Sequence, residues 1–182
     1  ISILDTAGGV TVDTVDTIDG LSTGGGAITL NSNAGITLAD LGIPITVRSN
    51  NGAIILDADA DGPNSGDLTM LVGSEIDSGT GTINLNSYND LRVTEVTSAN
   101  GTDAAITATS NNTGGIVPVG AGPHFTLSDP AGRLVLDSND GVAHASSLSV
   151  AVTELSVLND AREVNIAATT ANLQIHGFTN NG

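Results

Sequence analysis

A short phrase, Gly-Ala-Ile-Thr-Leu-Asn-Ser, recurs along this chain and restricts what it can fold into. It stands at Gly26–Ser32, returns as Gly52-Ala53-Ile54-Ile55-Leu56-Asp57-Ala58, and returns again as Gly81-Thr82-Ile83-Asn84-Leu85-Asn86-Ser87. Weaker copies are Ile106-Thr107-Ala108-Thr109-Ser110, Leu134-Val135-Leu136-Asp137-Ser138 and Val164-Asn165-Ile166-Ala167-Ala168. Aligned, they place Ile28, Ile54, Ile83, Ile106, Leu134 and Val164 in one column and Leu30, Leu56, Leu85, Ala108, Leu136 and Ile166 in the next apolar one. The position after that is polar (Asn31, Asp57, Asn86, Thr109, Asp137) until Ala167, and a small residue always follows: Ser32, Ala58, Ser87, Ser110, Ser138 and Ala168. Apolar and polar residues alternating over so few positions describe a half-buried strand, too short for a helical period.

Successive first-column residues are 26, 29, 23, 28 and 30 positions apart, a repeat near 27 residues. Two further strands fit into each repeat. A second ladder reads Ile36-Thr37-Leu38, Leu68-Thr69-Met70, Leu91-Arg92-Val93, Ile116 to Val119, Leu148-Ser149-Val150 and Leu173-Gln174-Ile175. A third reads Ile45-Thr46-Val47, Ile76, Val96, Phe125-Thr126-Leu127 and Leu155-Ser156-Val157. Residues 1–20 supply an earlier coil, with Leu4-Asp5-Thr6 matched to Leu-Asn-Ser, then Val10-Thr11-Val12, and Ile18 on the third side. Three strands per repeat and a period near 27 predict an all-β parallel solenoid of six to seven coils, formed by residues 1–182 as a single segment. Stacking would carry Ile, Leu and Val through the interior as continuous columns. A narrow interior also accounts for an aromatic content of 2% beside a hydrophobic content of 39%. The competing architecture is an antiparallel β-sandwich, which strands every eight or nine residues would also suit.

Charge narrows the function. The net charge is −16, there is no lysine, and Arg48, Arg92, Arg133 and Arg162 are the cations. Such a surface repels phosphate backbones and anionic lipid, so neither nucleic acid nor a membrane is an expected partner. No apolar run approaches the ~18 residues of a membrane-spanning helix. With no cysteine there is no disulfide framework, thiolate metal site or cysteine nucleophile. The chain opens on Ile1 rather than Met, as expected of an internal or processed piece of something longer.

The sharpest chemical motif is Asp57-Ala58-Asp59-Ala60-Asp61-Gly62. Carboxylates at positions 1, 3 and 5 with Gly at 6 form the first half of an EF-hand calcium loop, to which Pro63, Ser65 and Asp67 add oxygens. Position 12 is Leu68 where that loop needs a bidentate Glu, and no helices flank it. Asp57, Asp59, Asp61 and Asp67 are therefore the candidate metal ligands and calcium the candidate cofactor, against a plain solvated acidic turn. Asp13, Asp16 and Asp19 are spaced for a solvated edge. His124, His144 and His176 fit no metal or triad spacing. Arg92 and Glu95 lie close enough for an ordinary surface ion pair. Tyr88, Phe125 and Phe178 are too scattered to form a sugar-stacking platform, and Gly24-Gly25-Gly26 lacks the lysine of a phosphate loop. The sequons at Asn100 and Asn111 matter only in a eukaryotic secretory setting. Outward Thr29, Thr37, Thr46, Thr69, Thr107 and Thr126 would suit an ice-binding face, but Ile55, Asn84 and Val135 interrupt their column.

The Gly-Ala-Ile-Thr-Leu-Asn-Ser and Ala-Gly-Ile-Thr-Leu-Ala phrases resemble repeats of large secreted bacterial adhesins of the filamentous-haemagglutinin type, over about Gly26 to Ile175. The resemblance implies a right-handed parallel β-helix in an extracellular or cell-surface stalk, filament or adhesin, and it carries over no binding residues. The function expected is structural and adhesive, without catalysis. The expected partners are flanking repeats or identical copies stacked head to tail, and a host or cell-surface receptor or glycan. The alternatives are a β-helical carbohydrate-active enzyme, which would need aligned carboxylates on one face, and a calcium-stabilised sandwich module.

Overall fold

A computed structural model describes residues 1–15, 18–39, 45–60, 66–143 and 146–182. Every strand in it is short, two to seven residues, because each run of alternating residues soon meets a corner. The first side of each coil carries the recurring phrase. Its eight strands are Ser2–Asp5, Ile28–Ser32, Ile54–Ala58, Ile83–Ser87, Ile106–Ser110, Arg133–Ser138, Glu154–Asn159 and Gln174–Asn180, stacked in chain order as one sheet. A second sheet stacks Val10–Val12, Gly35–Leu38, Asp67–Met70, Leu91–Val93 and Ile116–Pro118. A third runs from Ile18–Ser22 through Thr46–Arg48, Glu75–Asp77, Glu95–Ser98, Phe125–Leu127 and Leu148–Ala151 to Ile166–Ala168. These sheets are parallel, which rules out the sandwich. The fold is a parallel β-solenoid of seven coils plus an eighth first-side strand, about 34 Å of stack at ~4.8 Å per rung.

Register explains the repeat. Ile28, Ile54, Ile83, Ile106 and Leu134 are direct partners from rung to rung, as are Leu30, Leu56, Leu85, Ala108 and Leu136. All ten are buried. The alternate positions point outward, so Thr29, Ile55, Asn84, Thr107 and Val135 form one mixed external column. Each fully buried Leu or Ile contributes ~1.5–3 kcal/mol of apolar transfer, and here that term is repeated in every coil.

The corners are polar inside, and this accounts for the small fourth column. Ser138 Oγ donates to the Gly141 carbonyl (2.8 Å), Ser87 Oγ to that of Asn89 (3.0 Å) and Ser110 Oγ to the same Asn89 carbonyl (2.6 Å). At the opposite corner Ser78 and Ser98 hydroxyls both donate to the Gly81 carbonyl, at 2.7 and 2.8 Å. The glycine that opens the second and third copies of the phrase has a separate cause. A Cβ on Gly81 would lie 2.0 Å from the Gly52 carbonyl oxygen, and one on Gly52 would lie 2.4 Å from that of Gly26. Stacked corners approach too closely there for any side chain.

The last coils depart from the sequence alignment. The first-side strand above Leu134–Leu136 is Leu155–Val157, not Val164–Ile166: Leu155 pairs with Leu134, Val157 with Leu136, Leu158 with Asp137 and Asn159 with Ser138. Val164 instead bridges Val142 on the second side, and Ile166 pairs with Leu148 on the third. Leu148 therefore belongs to the third ladder, while Gln174 and Ile175 belong to the first. The cause is shortening. From Leu134 to Leu155 the step is 21 residues and from Leu155 to Ile175 it is 20, because the second side shrinks to the single bridging residues Val142 and Val164. A period of 27 residues oversteps such coils. Pro118 marks the place where the second sheet stops. Ile116 bonds toward the next coil through Gly141 and Ala143, at 3.1 and 2.8 Å. Alternation along the strand turns Pro118 the same way, and proline has no N–H to leave unpaired.

The first coil is also shifted. Ile3, Leu4 and Asp5 pair with Leu30, Asn31 and Ser32, so Asp5 rather than Thr6 occupies the serine position. Val10–Val12 pairs with Ile36–Leu38 as expected. On the third side Leu21 is the partner of Val47, and Ile18 turns back to pair antiparallel with Val15. Thr14–Val15 thereby covers the outer edge of Ile18–Ser22, a small cap that the sequence reading did not foresee. The outer edges of Ser2–Asp5 and Gln174–Asn180 are uncovered among the described residues. Leu4, Ile175 and Phe178 are correspondingly exposed, at 66%, 58% and 53%.

Candidate functional site

Asp57 is the last outward residue of the third first-side strand, Ile54–Ala58, beside Asn86 of the next rung. Its Oδ1 accepts the Asn86 amide (2.9 Å) and the Asp59 backbone N–H (3.1 Å). Asp59 Oδ2 accepts the Asn111 amide at 3.2 Å, and the same amide donates to Asn86 Oδ1 at 2.7 Å. Asn139 continues the series by donating to the Asn111 carbonyl. The two carboxylates thus open a side-chain amide ladder that climbs the solenoid edge across four coils, from Asp57 to Asn139. Asp67 lies on the second side, where its Oδ1 accepts the Asp90 backbone N–H at 3.3 Å. Asp61, Pro63 and Ser65 lie outside the described residues, as do Asp16 and His144. Among the described residues no group of three or more His, Asp or Glu side chains converges as a metal cage.

A second acidic group escaped the sequence reading. Glu75 and Glu95 are direct rung partners on the outer face of the third sheet, and Asp77 stands two residues along the same face. Arg48, on the rung below, contacts Asp77 at 3.1 Å and Glu75 at 3.6 Å. Partial burial raises the Glu75 pKa above its ordinary value; Arg48 opposes this, while Glu95 and Asp77 reinforce it. Aligned carboxylates on one face are what a carbohydrate-active β-helix would need. These stand on a half-exposed sheet face beside an arginine, as a charge ladder. The signal lay in Glu75-Ile76-Asp77 and Glu95-Val96-Thr97, whose register becomes visible only when the short strands are stacked.

The remaining candidates separate. Arg92 pairs with Asp90 at 2.6 Å rather than with Glu95. His176 approaches Glu154 at 3.4 Å at the exposed last rung. His124 is buried, with 3% exposure. Its Nδ1 accepts the Ser149 N–H at 3.1 Å, and burial lowers its pKa. The Gly120 backbone lies beside the ring, but Nε2 makes no hydrogen bond of full geometry. No family model matches this chain, and neither a curated protein nor a solved structure does.

Proposed function

We propose that this chain is a structural and adhesive unit of an extracellular β-solenoid, serving as a rigid stalk or filament segment and acting without catalysis. The observation that carries this reading is the first-side sheet, which stacks eight parallel strands from Ser2 to Asn180, with one bulge at the last rung, and among the described residues leaves a bare strand edge with exposed apolar residues at each end. Bare edges of this kind are templates for a further coil. The coil above or below is a flanking repeat or a second copy, joined head to tail; such heterologous contacts give open filaments when their rotation does not close. The resemblance to secreted bacterial adhesin repeats agrees with this use and with a cell-surface location.

Charge sets the conditions. At −16 per chain, copies repel at low salt, and near 1 M salt the Debye length falls to ~3 Å. Sedimentation velocity and negative-stain microscopy across salt, with and without calcium, test the proposal. The expected result is concentration-dependent elongated species at high salt, suppressed in Leu4→Asp and Ile175→Asp variants. A strictly monomeric chain under all these conditions would overturn the stacking, and turnover of a polysaccharide abolished by Glu75→Gln would overturn the non-catalytic reading.

A further inference from the structure

We propose that the second side carries a binding groove for a neutral oligosaccharide, between coils 4 and 7. The groove opens where the second sheet ends. Above Ile116–Pro118 the described residues of the next two coils pair there only through Val142 and Val164, and beside them lies a cleft of about 430 Å³. That volume lies within the range of small-molecule sites. Its floor is Ile116, Val117, Pro118 and Ala143.

Two Arg–Asp pairs line it, one toward each end. Arg92 is held to Asp90 at 2.6 Å and Arg162 to Asp140 at 2.9 Å. Half of the four cations of a strongly acidic chain therefore line one cleft, each neutralised in place. Backbone conformation marks the same spot. The described non-glycine residues with positive φ are Asn50, Asn51, Ala143 and Arg162. Asparagine adopts that region readily, whereas alanine and arginine do so at a cost, and both of these line the groove. For Arg162 the holding contact is visible: Asn159 Nδ2 donates to its carbonyl at 3.0 Å. Strained backbone that its surroundings hold in place is concentrated at binding sites.

The chemistry selects the ligand class. The arginine side chains are 43% and 55% exposed, so each guanidinium keeps N–H donors beyond its aspartate. Asp90 Oδ2 accepts from Arg92 and its Oδ1 from the Gly115 N–H at 3.2 Å, but each carboxylate oxygen has two lone pairs, so both aspartates keep acceptor capacity. Every pair offers donors and acceptors side by side, the complement of vicinal hydroxyls, while Thr113 and Ser146 add hydroxyls of their own. A phosphate would meet the two aspartates, and a cation the two arginines. A peptide strand finds no usable edge, since Ile116 already bonds to Gly141 and Ala143, and Pro118 has no N–H. The distance from coil 4 to coil 7, three rungs or ~14 Å, suits a ligand of two or three sugar rings, with Val117 and Pro118 packing against their C–H faces.

This gives the adhesive part of the proposed function a ligand and rests on that reading, while the stacking is tested separately by sedimentation. The test is an amide chemical-shift titration of the intact chain with maltotriose, cellotriose and chitotriose, and in parallel with trigalacturonate and inorganic phosphate. At roughly 10 mM sugar a millimolar site is mostly filled. The expected result is perturbation centred on Gly115, Val117, Ala143 and Arg162 by at least one neutral trisaccharide, weakened tenfold or more in Arg92→Gln and in Asp140→Asn but unchanged in Arg48→Gln. Two variants are used so that misfolding of one, visible by circular dichroism, leaves the other to decide. Silence with all three neutral sugars would overturn the proposal, as would equal binding by both variants or tighter binding of trigalacturonate or phosphate. Loss of sugar binding with salt-dependent association intact would remove the groove and leave the filament reading standing.

Discussion

Leu85 is the position at which the solenoid can be tested most severely. It is fully buried between Leu56 on one rung and Ala108 on the next, and its neighbour Asn84 points outward between Ile55 and Thr107. Leu85→Ala removes a buried side chain and leaves a cavity, at ~2–5 kcal/mol. Leu85→Asp adds a carboxyl group with no partner in an aliphatic column. Burial would push its pKa up by ~3–5 units, to neutrality or above, so that near pH 7 holding it protonated costs a further ~4 kcal/mol at 1.36 kcal/mol per pH unit above the ordinary Asp value. The combined loss, on the order of 6–9 kcal/mol, matches the whole stability of an ordinary domain. In a stack where each coil contacts only its neighbours, the loss would open the central coils first. Urea unfolding by circular dichroism, with hydrogen exchange to locate the opening, measures this. The expected order is wild type, then Leu85→Ala, then Leu85→Asp, with Asn84→Asp within ~0.5 kcal/mol of wild type. Acidification toward pH 4 should partly rescue Leu85→Asp, because the protonated side chain carries no charge. Wild-type unfolding of Leu85→Asp, or equal damage from Asn84→Asp, would refute the inward column.

The glycine corner and the buried histidine give two further predictions. Gly81→Ala puts a Cβ 2.0 Å from a carbonyl oxygen and should cost ~1–3 kcal/mol or more, whereas a Cβ on Gly26 meets nothing within 4 Å and Gly26→Ala should be near neutral; comparable urea midpoints for the two would disprove the close approach. The His124 pKa is lowered, so its contribution is complete above pH 6.5 and is lost as pH falls through the window below that value, where the unfolded chain takes up the proton first. Glu75 and Asp137, both raised mainly by burial, act oppositely and lose stability as pH rises above their ordinary values of 4.5 and 3.8. Subtracting the stability profile of His124→Gln from that of wild type should therefore leave a positive slope below pH 6.5, at most ~1.4 kcal/mol per pH unit, and a flat difference would show that His124 titrates normally.

The fold was readable because its determinants are local and repeated. Ile28, Ile54, Ile83, Ile106 and Leu134 keep the same two-residue phase to the next inward residue, whatever the length of the intervening turns. A strand needs only that phase to know its inner face. Coil length is not encoded so directly. It depends on how many residues the second side contributes, and from Ile116–Pro118 to Val142 that falls from a strand to a bridge. Nothing in the alternation of Leu155-Ser156-Val157 tells which side it occupies, since inward Leu and Val serve all three. The signal that could have corrected the alignment was Asn159, which stands in the Ser138 column and bonds the corner carbonyls of Ala161 and Arg162 at 2.7 and 3.0 Å.

The site was less readable for a different reason: spacing along the chain ceases to measure proximity once coils stack. Asp57, Asp59 and Asp61 stood out because they were adjacent in sequence. In the fold Asp57 and Asp59 instead reach the Asn86 and Asn111 amides, 29 and 52 residues away. Asp140 and Arg162 stand 22 positions apart in sequence, yet they meet at 2.9 Å because one turn of the solenoid brings neighbouring coils into register. Glu75 and Glu95 become neighbours in the same way. Chemistry on such a scaffold is written across rungs, so a pair separated by about one coil length carries more functional information than a pair two residues apart. By that measure the strongest composite feature lies where the repeat is broken. A regular stack buries its backbone and presents uniform ladders, whereas the lost strand above Pro118 creates the concavity and holds Ala143 and Arg162 in left-handed conformations beside it.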